Sequence, residues 1–586
     1  MSFIRSLKGH FRSDDGPPEH AVDDAARDAE VADKGHALRD LDRDRKGNGG
    51  EPVESGVGTI EAAQAIWGKK GRWLVITGSV LESILSEIDN TTVSIYANYA
   101  TSSFSALSKV ATLGTASGIV FAVVKPPIAK LSNVIGRGQT YIMTVSFYIL
   151  GYILMASARG FDAYAAGAIF YTVGQSGTNI MNDIVIADIT TARWRGFAIG
   201  FSFFPFLITP WAAAYIVEDV VRPGGIGWRW GIGMLAILMP VGAAFITATL
   251  LYYQRVAKKN GLVPSCKTTL HDFCAQIDLG GSLLLAAGFA MLLLPLTLAA
   301  GSASAWRTPY IIVLIVLGAC LLVALPVYER FIATHPIMPP RYFRNRTIVL
   351  CLFLIASDSI GFSATHTYLY SWSSVARGFA PRDATFLQYT NGVVQCLTGI
   401  TAGLAMAYTR RYKWLLIAAA VVRMIGYGVM LRLRGADNSV AELFVVQVLQ
   451  GLGSGVMQLS VLVPAQIVVP HREMPQITAL VICFSIIGGS VGACIAGAIY
   501  TNTFKPTLYR YLGAGASSQL VDSLFDSIVG TAPAWGTPER TAINHAFSDV
   551  MRSTVYAAVG ASAPALILAW FLPNFELPDR NNLIED

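Results

Sequence analysis

Charge is scarce in this chain. Only 14% of its 586 residues are Asp, Glu, Lys or Arg, against 53% hydrophobic. A soluble domain carries roughly 25% charged residues, so there are too few here to cover a water-exposed surface. Cysteine is also sparse. The seven are Cys266, Cys274, Cys320, Cys351, Cys396, Cys483 and Cys494, with no C-x-x-C among them. That pattern offers neither a disulfide framework nor a metal site. Five of the seven lie in apolar stretches, where a small buried thiol is the ordinary reading. No Gly-rich nucleotide loop, nucleophile elbow or His box appears, which argues against an enzyme. The formal net charge of +6 is modest and its basic residues sit in short loops rather than one patch, which argues against nucleic acid as a partner. Residues 1–70 lack the apolar core of a signal peptide. Rich in Asp, Arg, Gly and Pro, they are expected to form a disordered cytosolic tail.

What the chain has instead is long apolar blocks. Residues 279–300 contain no charge, and neither do residues 310–328. Each can cross a ~30 Å hydrocarbon core as a helix. The pattern predicts an all-α polytopic bundle of fourteen spans in a lipid bilayer. Six centre on 73–97, 109–129, 139–157, 162–185, 196–217 and 229–252. A pair follows at 278–299 and 309–328, and six more lie near 347–373, 384–408, 413–432, 441–468, 475–500 and 552–572. Short-loop Lys and Arg, such as Lys130, Arg137, Arg195, Lys258, Arg344, Arg410 and Arg411, mark the cytosolic side and put both termini in the cytosol. The connector at 501–550 is far longer than the others and falls outside.

The 6 + 2 + 6 order suggests two related halves, 71–255 and 346–573, joined by an inserted segment at 256–345 that holds the pair. A short cytosolic tail, 574–586, closes the chain. Gly174-Gln175-Ser176-Gly177 in span 4 and Gln450-Gly451-Leu452-Gly453-Ser454-Gly455 in span 12 support the repeat. Both are small, polar patches at corresponding places, and small residues let helices approach closely. Ordinary tight packing is the alternative.

Ionisable side chains inside a span cost at least ~2.5–3.5 kcal/mol on insertion scales, so each needs a reason. In span 1, Glu82, Asp89 and Tyr96 repeat every seven residues and share a face, with Glu87 off it. Span 4 carries Gln175, Asn179, Asn182 and Asp183 as a stripe. Span 9 has Asp358, His366 and Tyr370. Spans 10 and 12 align Gln388, Asn391 and Gln395, and Gln447, Ser454 and Gln458. Span 11 has one deep cation, Arg423. These stripes read as the walls of a water-filled cavity. Asp89 is the first choice of proton carrier, followed by Asp183 and Asp358, with Glu82 and His366 as further candidates. For each acid the alternative is a structural pair, such as one neutralising Arg423. Tyr96, Tyr99, Trp211, Tyr368, Tyr370, Trp372 and Tyr389 cluster on the same spans. With Gln175, Asn179, Asn391, Arg423 and Gln458, they suit a large, partly apolar solute rich in oxygens. In the long connector Phe504, Tyr509, Tyr511 and Trp535 suggest an external gate.

The stretch Lys125-Pro-Pro-Ile-Ala-Lys130-Leu-Ser-Asn133-Val-Ile-Gly136-Arg137 resembles the cytoplasmic loop signature of the major facilitator superfamily. With Glu87-Ile-Asp89-Asn-Thr-Thr, Trp228-Arg-Trp-Gly-Ile-Gly-Met234, Pro336-Ile-Met-Pro-Pro340 and Tyr368-Leu-Tyr-Ser-Trp372, the chain is similar to the fungal siderophore–iron transporters, over residues ~60 to ~580. It departs from the superfamily pattern at Asn133, where the loop normally has Asp, and at Phe170 and Gln447, where the span-4 Arg and its span-12 counterpart would stand. The resemblance implies proton-coupled import of a ferric siderophore, the hydroxamate class favoured, by a monomer in the plasma membrane or an endosomal membrane. A chelate supplies its own iron ligands, so the protein needs no cofactor and no metal site. Drug or glutathione export and haem import are the rival readings. The exporter signature of span 5 is missing from Gly200 to Trp211.

Overall fold

A backbone in hydrocarbon must satisfy its own hydrogen bonds, and every regular element among the described residues is helical. The computed structural model describes residues 55–189, 204–260, 274, 278–298, 307–333, 341–469, 474–513, 517–527 and 533–576. The first group of helices is α1 (Ser55–Ser103, kinked at Gly68), α2 (Val110–Ile135), α3 (Arg137–Ser157), α4 (Phe161–Ile189), α5 (Thr209–Val221), α6 (Gly227–Gly233) and α7 (Leu235–Lys259). An apolar pair follows, α8 (Leu279–Leu298) and α9 (Pro309–Phe331). The last group is α10 (Arg346–His366), α11 (Leu369–Val375), α12 (Pro381–Thr409), α13 (Lys413–Leu433), α14 (Val440–Ile467), α15 (Met474–Leu512), α16 (Ser518–Asp526) and α17 (Pro538–Phe571). Their starts carry local signals. Asn345 accepts from the Thr347 amide at α10, Ser439 and Glu442 form a capping box at α14, and Pro opens α9, α12 and α17.

Among the described residues nine helices are long and apolar enough to cross a membrane. The run at α1, α4 and α12 is broken by polar groups, and α1 and α4 supply most of the wall of the site described below. At the other extreme α9 is apolar all round and leaves Ile312, Val313, Val316 and Val323 exposed, the signature of a face turned to lipid.

The first group packs as α1 on α7 and α3 on α4, with α2 against α4. In the last group α10 packs on α15 and α17, and α12 and α13 on α14. Two seams join the groups, α2 against α15 and α5 against α12. The α8–α9 pair lies on the first seam, with α8 touching both α2 and α15. Glycine makes the closest approaches possible. A Cβ at Gly151 would stand 2.3 Å from the Tyr171 backbone nitrogen, and one at Gly174 would stand 2.4 Å from that of Tyr148.

Two expected spans each hold two helical segments, and the expectation for one connector is corrected. The span at 347–373 lies within the single apolar run Arg346–Val375, kinked where Tyr368 leaves helical dihedrals (φ −110°, ψ 14°) and its ring stacks on Tyr500 at 4.3 Å. The span at 229–252 lies within the single apolar run Gly227–Lys259, where Met234, between α6 and α7, keeps helical dihedrals (φ −63°, ψ −30°). The corrected connector is 501–550, which is mostly helix rather than loop. α15 continues to Leu512 because Phe504 and Leu508 go on finding a core to enter, α16 follows, and α17 already begins at Pro538.

Candidate functional site

A cavity of about 140 Å³ lies within the first group of helices, walled by α1, α2, α3 and α4. Its acidic members are Glu82, Glu87 and Asp183, and its polar ones include Ser86, Asn90, Gln175, Asn179 and Asn182. The Ser86 hydroxyl donates to Glu82 at 2.6 Å, and Asn182 donates to Ser83 at 2.8 Å. On α2 the Lys125 ammonium donates to Asn179 at 2.6 Å and sits 4.6 Å from the centre of the Phe121 ring, itself part of the wall. The span-4 stripe therefore does face a cavity. Lys125, noticed in the sequence only as the start of a loop signature, is the cation beside it.

Asp89 stands elsewhere. It is fully buried behind the wall and accepts from three tyrosines: Tyr148 at 2.9 Å, Tyr152 at 2.6 Å and Tyr171 at 2.8 Å. The close α3–α4 packing brings these rings together. Gln175 donates to the Tyr171 hydroxyl at 3.1 Å, so Asp89 reaches the cavity only through Tyr148 and Gln175. Helical spacing placed Asp89, Glu82 and Tyr96 on one face, and all three are buried. The periodicity was right about the face and silent about what covers it. Glu87, set aside as off that face, lines the cavity together with Glu82. Tyr96 packs against Gly231, and its hydroxyl has no partner among the described residues.

In the last group the Arg423 guanidinium meets Asp358 at 2.6 Å, donates to Gln450 at 2.9 Å and lies over the Tyr427 ring. Asp358 is thus occupied as a structural counter-ion. His366 is buried, bonded to Gln447 at 2.9 Å and stacked on Phe362, a packing role. Gln395 donates to Gln458 at 2.7 Å, and Ser454 donates to Gln395. Asn391 is fully buried, with both polar side-chain atoms lacking a partner among the described residues.

The aromatic residues expected to hold solute mostly close one end of the bundle. Tyr99 and Tyr370 share a hydrogen bond of 2.9 Å, and Ser94 and Tyr389 one of 2.5 Å. Ser371 donates to Asn98 at 3.0 Å, and Tyr368 to the Ser108 carbonyl at 3.1 Å. Trp372 is buried and donates to Ser548. Trp211 packs on Phe386 across the α5–α12 seam.

The gate candidates divide as well. Phe504 is buried among Tyr500, Phe525 and Phe547, so its ring is not offered to a solute. Tyr511 donates to Asp549 at 2.5 Å, Tyr509 is exposed, and Trp535 is 58% exposed against Arg540. The element over this end is α16. Its Val521 and Leu524 are buried, and its Asp526 accepts from Ser108 at 2.6 Å, on the turn between α1 and α2.

At the opposite end Gly136 joins α2 to α3 with φ +105°. Arg137 is buried, bonded to Asp188 at 2.9 Å and to Ser132 at 2.8 Å. Asp188, on α4, is a partner that the loop signature did not reveal. Lys130 and Asn133 lie in α2, and their side chains fall outside the described residues.

The chain matches, over residues 72–565, the family model described as fungal trichothecene efflux pump (TRI12). It is 30% identical to "MFS siderochrome iron transporter C" of Aspergillus fumigatus over 90% of this chain and 88% of that one. It is 31% identical to "Low affinity heme transporter str3" of Schizosaccharomyces pombe, over 90% of this chain and 87% of the relative. Among solved structures it resembles a bacterial homolog of the human lysosomal transporter Spinster in an inward-facing, unoccupied conformation. The TM-score there is 0.56 at 14% identity, over 86% of this chain and 98% of that one, a likeness of fold.

Proposed function

This chain belongs to the fungal siderophore iron transporters of the major facilitator superfamily, and from that premise we propose that it imports a ferric siderophore by proton symport. The observation that carries the reading is the cavity where Glu82, Glu87 and Asp183 meet amide side chains and Lys125. Carboxylates there can exchange protons with water entering the cavity, while Gln175, Asn179 and Asn90 offer hydrogen bonds to an oxygen-rich chelate. Gln395, Gln458 and Tyr389 would complete the site from the last group of helices. We assign the coupling role to Glu82, Glu87 and Asp183, and a structural role to Asp89.

The proposed layout is fourteen spans, with α1–α7 and α10–α17 as two six-span halves and α8–α9 inserted between them. Both termini are cytosolic, with Arg137 on the cytosolic side and α16 outside. In that frame the contacts Tyr99–Tyr370, Ser94–Tyr389 and Ser108–Asp526 seal the external end, and the cavity belongs to an inward-facing state. Monomeric operation in the plasma membrane or an endosomal membrane, with hydroxamate chelates favoured, completes the proposal.

The test is uptake of radio-iron presented on a panel of siderophores, by yeast lacking its own carriers, with and without a protonophore. Accumulation that collapses with the proton gradient supports the reading. Concentration of iron with the protonophore present and ATP preserved would sink it. Export is the second reading, because the matching family model is described as an efflux pump. Loss of preloaded substrate that accelerates with this protein would favour it.

A further inference from the structure

A second, smaller cavity lies within the last group of helices, away from the acidic one. Its walls are Leu369 and Trp372 of α11, Leu387 of α12, and Leu443, Val446 and Gln447 of α14. Into it comes Arg434, the residue that ends α13. Only 4% of Arg434 is exposed. Among the described residues its Nη1 donates to the Met430 sulfur at 3.5 Å, and Nε and Nη2 have no partner. Its guanidinium lies 5.5 Å from the centre of the Trp372 ring. A ring face helps a cation, but it satisfies no N–H and carries no charge.

The acids near it in sequence are engaged elsewhere. Glu442 accepts from Asn438 and from the Ser439 amide at its own helix start. Asp437 acts on Arg377, which is strapped to the same turn through the carbonyls of Ala436 and Asn438. Arg423 is already neutralised by Asp358, and His366 stands beside Gln447 rather than beside an acid. Among the described residues Arg434 is therefore a buried cation without a counter-charge. Taking a charge out of water is costly unless an opposite charge and hydrogen bonds accompany it. Arginine cannot escape by losing its proton.

The space that Arg434 helps to line holds about one particle of water size. That excludes a carboxylic acid, a phosphate or a chelate. A water molecule would satisfy an N–H but leave the charge uncompensated. We propose that this cavity is a binding site for a single small monovalent anion, chloride, held by the Nε and Nη2 donors of Arg434 beneath Trp372. Bound there, the ion would tie α11, α12 and α14 to the end of α13, next to the Tyr99–Tyr370 closure.

The test uses the full-length protein in detergent at constant ionic strength, with gluconate exchanged for chloride or bromide. The thermal unfolding midpoint should rise saturably with either halide and not with sulfate. In Arg434→Gln the halide response should be absent. No halide-specific rise in the wild type, or an equal rise in Arg434→Gln, overturns the proposal. Should that variant fail to fold, bromide anomalous diffraction from wild-type crystals decides. A peak against the Arg434 guanidinium supports the site, and a cavity without one refutes it. Neither readout involves transport, so the site stands or falls separately from the proposed substrate.

Discussion

Asp89 and Glu82 are both buried acids of one helix, yet their surroundings assign them different work. Three tyrosine hydroxyls converge on Asp89, whereas Glu82 shares one serine and faces the cavity. Glu82→Gln and Asp183→Asn are expected to abolish concentrative, protonophore-sensitive uptake while leaving chelate binding, measured by equilibrium binding to purified protein. Asp89→Asn should instead keep the proton dependence of whatever transport remains. It weakens three buried hydrogen bonds, so it should destabilise the fold by about 1–3 kcal/mol, read as a lower unfolding midpoint and lower surface abundance. Uncoupled transport in Asp89→Asn at wild-type stability would return the coupling role to that residue. The Arg423–Asp358 pair gives a separate expectation. Arg423→Met alone strands a buried carboxylate and should cost about 3–5 kcal/mol. The double change Arg423→Met with Asp358→Leu should recover much of that loss in the same unfolding assay.

At the scale of elements, the approach of α3 to α4 decides whether the tyrosine cage exists. A methyl at Gly151 or Gly174 meets backbone atoms at less than 2.5 Å, and backbone cannot rotate aside. Gly151→Ala and Gly174→Ala should each destabilise by at least ~1–3 kcal/mol. Gly114→Ala, where a Cβ meets nothing within 4 Å, should be tolerated; equal expression of all three variants would contradict this account. The same scale governs α16. An amphipathic nine-residue helix is too short to be stable alone, so its order comes from Val521, Leu524 and the Ser108–Asp526 bond. Asp526→Ala should speed opening of this end, seen as faster labelling of a cysteine placed at Ser371. Unchanged labelling would reduce α16 to a connector.

For the whole molecule the question is whether the two groups of helices separate at their seam. On α2 and α15, a Cβ built at Gly118 lies 3.6 Å from the Ser490 Cβ, within the span a disulfide bridges. The pair Gly118→Cys and Ser490→Cys should therefore oxidise readily. Iron uptake should fall to background when it does and return with reductant, while either single variant stays active. Full uptake by the cross-linked form would mean that the α2–α15 seam stays shut throughout the cycle.

The all-helical, polytopic character of this protein was legible in the sequence, because apolar blocks of span length have few other ways to satisfy a backbone in lipid. The loop and span signatures were enough to name the family, and the polar stripe of span 4 was visible from its periodicity. Which polar residues share water was not visible. Periodicity sorts a helix into faces but does not say which neighbour covers each face. Only tertiary packing put Tyr148, Tyr152 and Tyr171 over Asp89, turned Glu87 toward the cavity, paired Asp358 with Arg423 and left Arg434 without a counter-charge among the described residues. It also made the supposed external loop into helix, since Phe504 and Leu508 bury against elements distant in sequence. Local sequence determines what a segment can be, and burial, which depends on contacts far along the chain, decides what each of its side chains does.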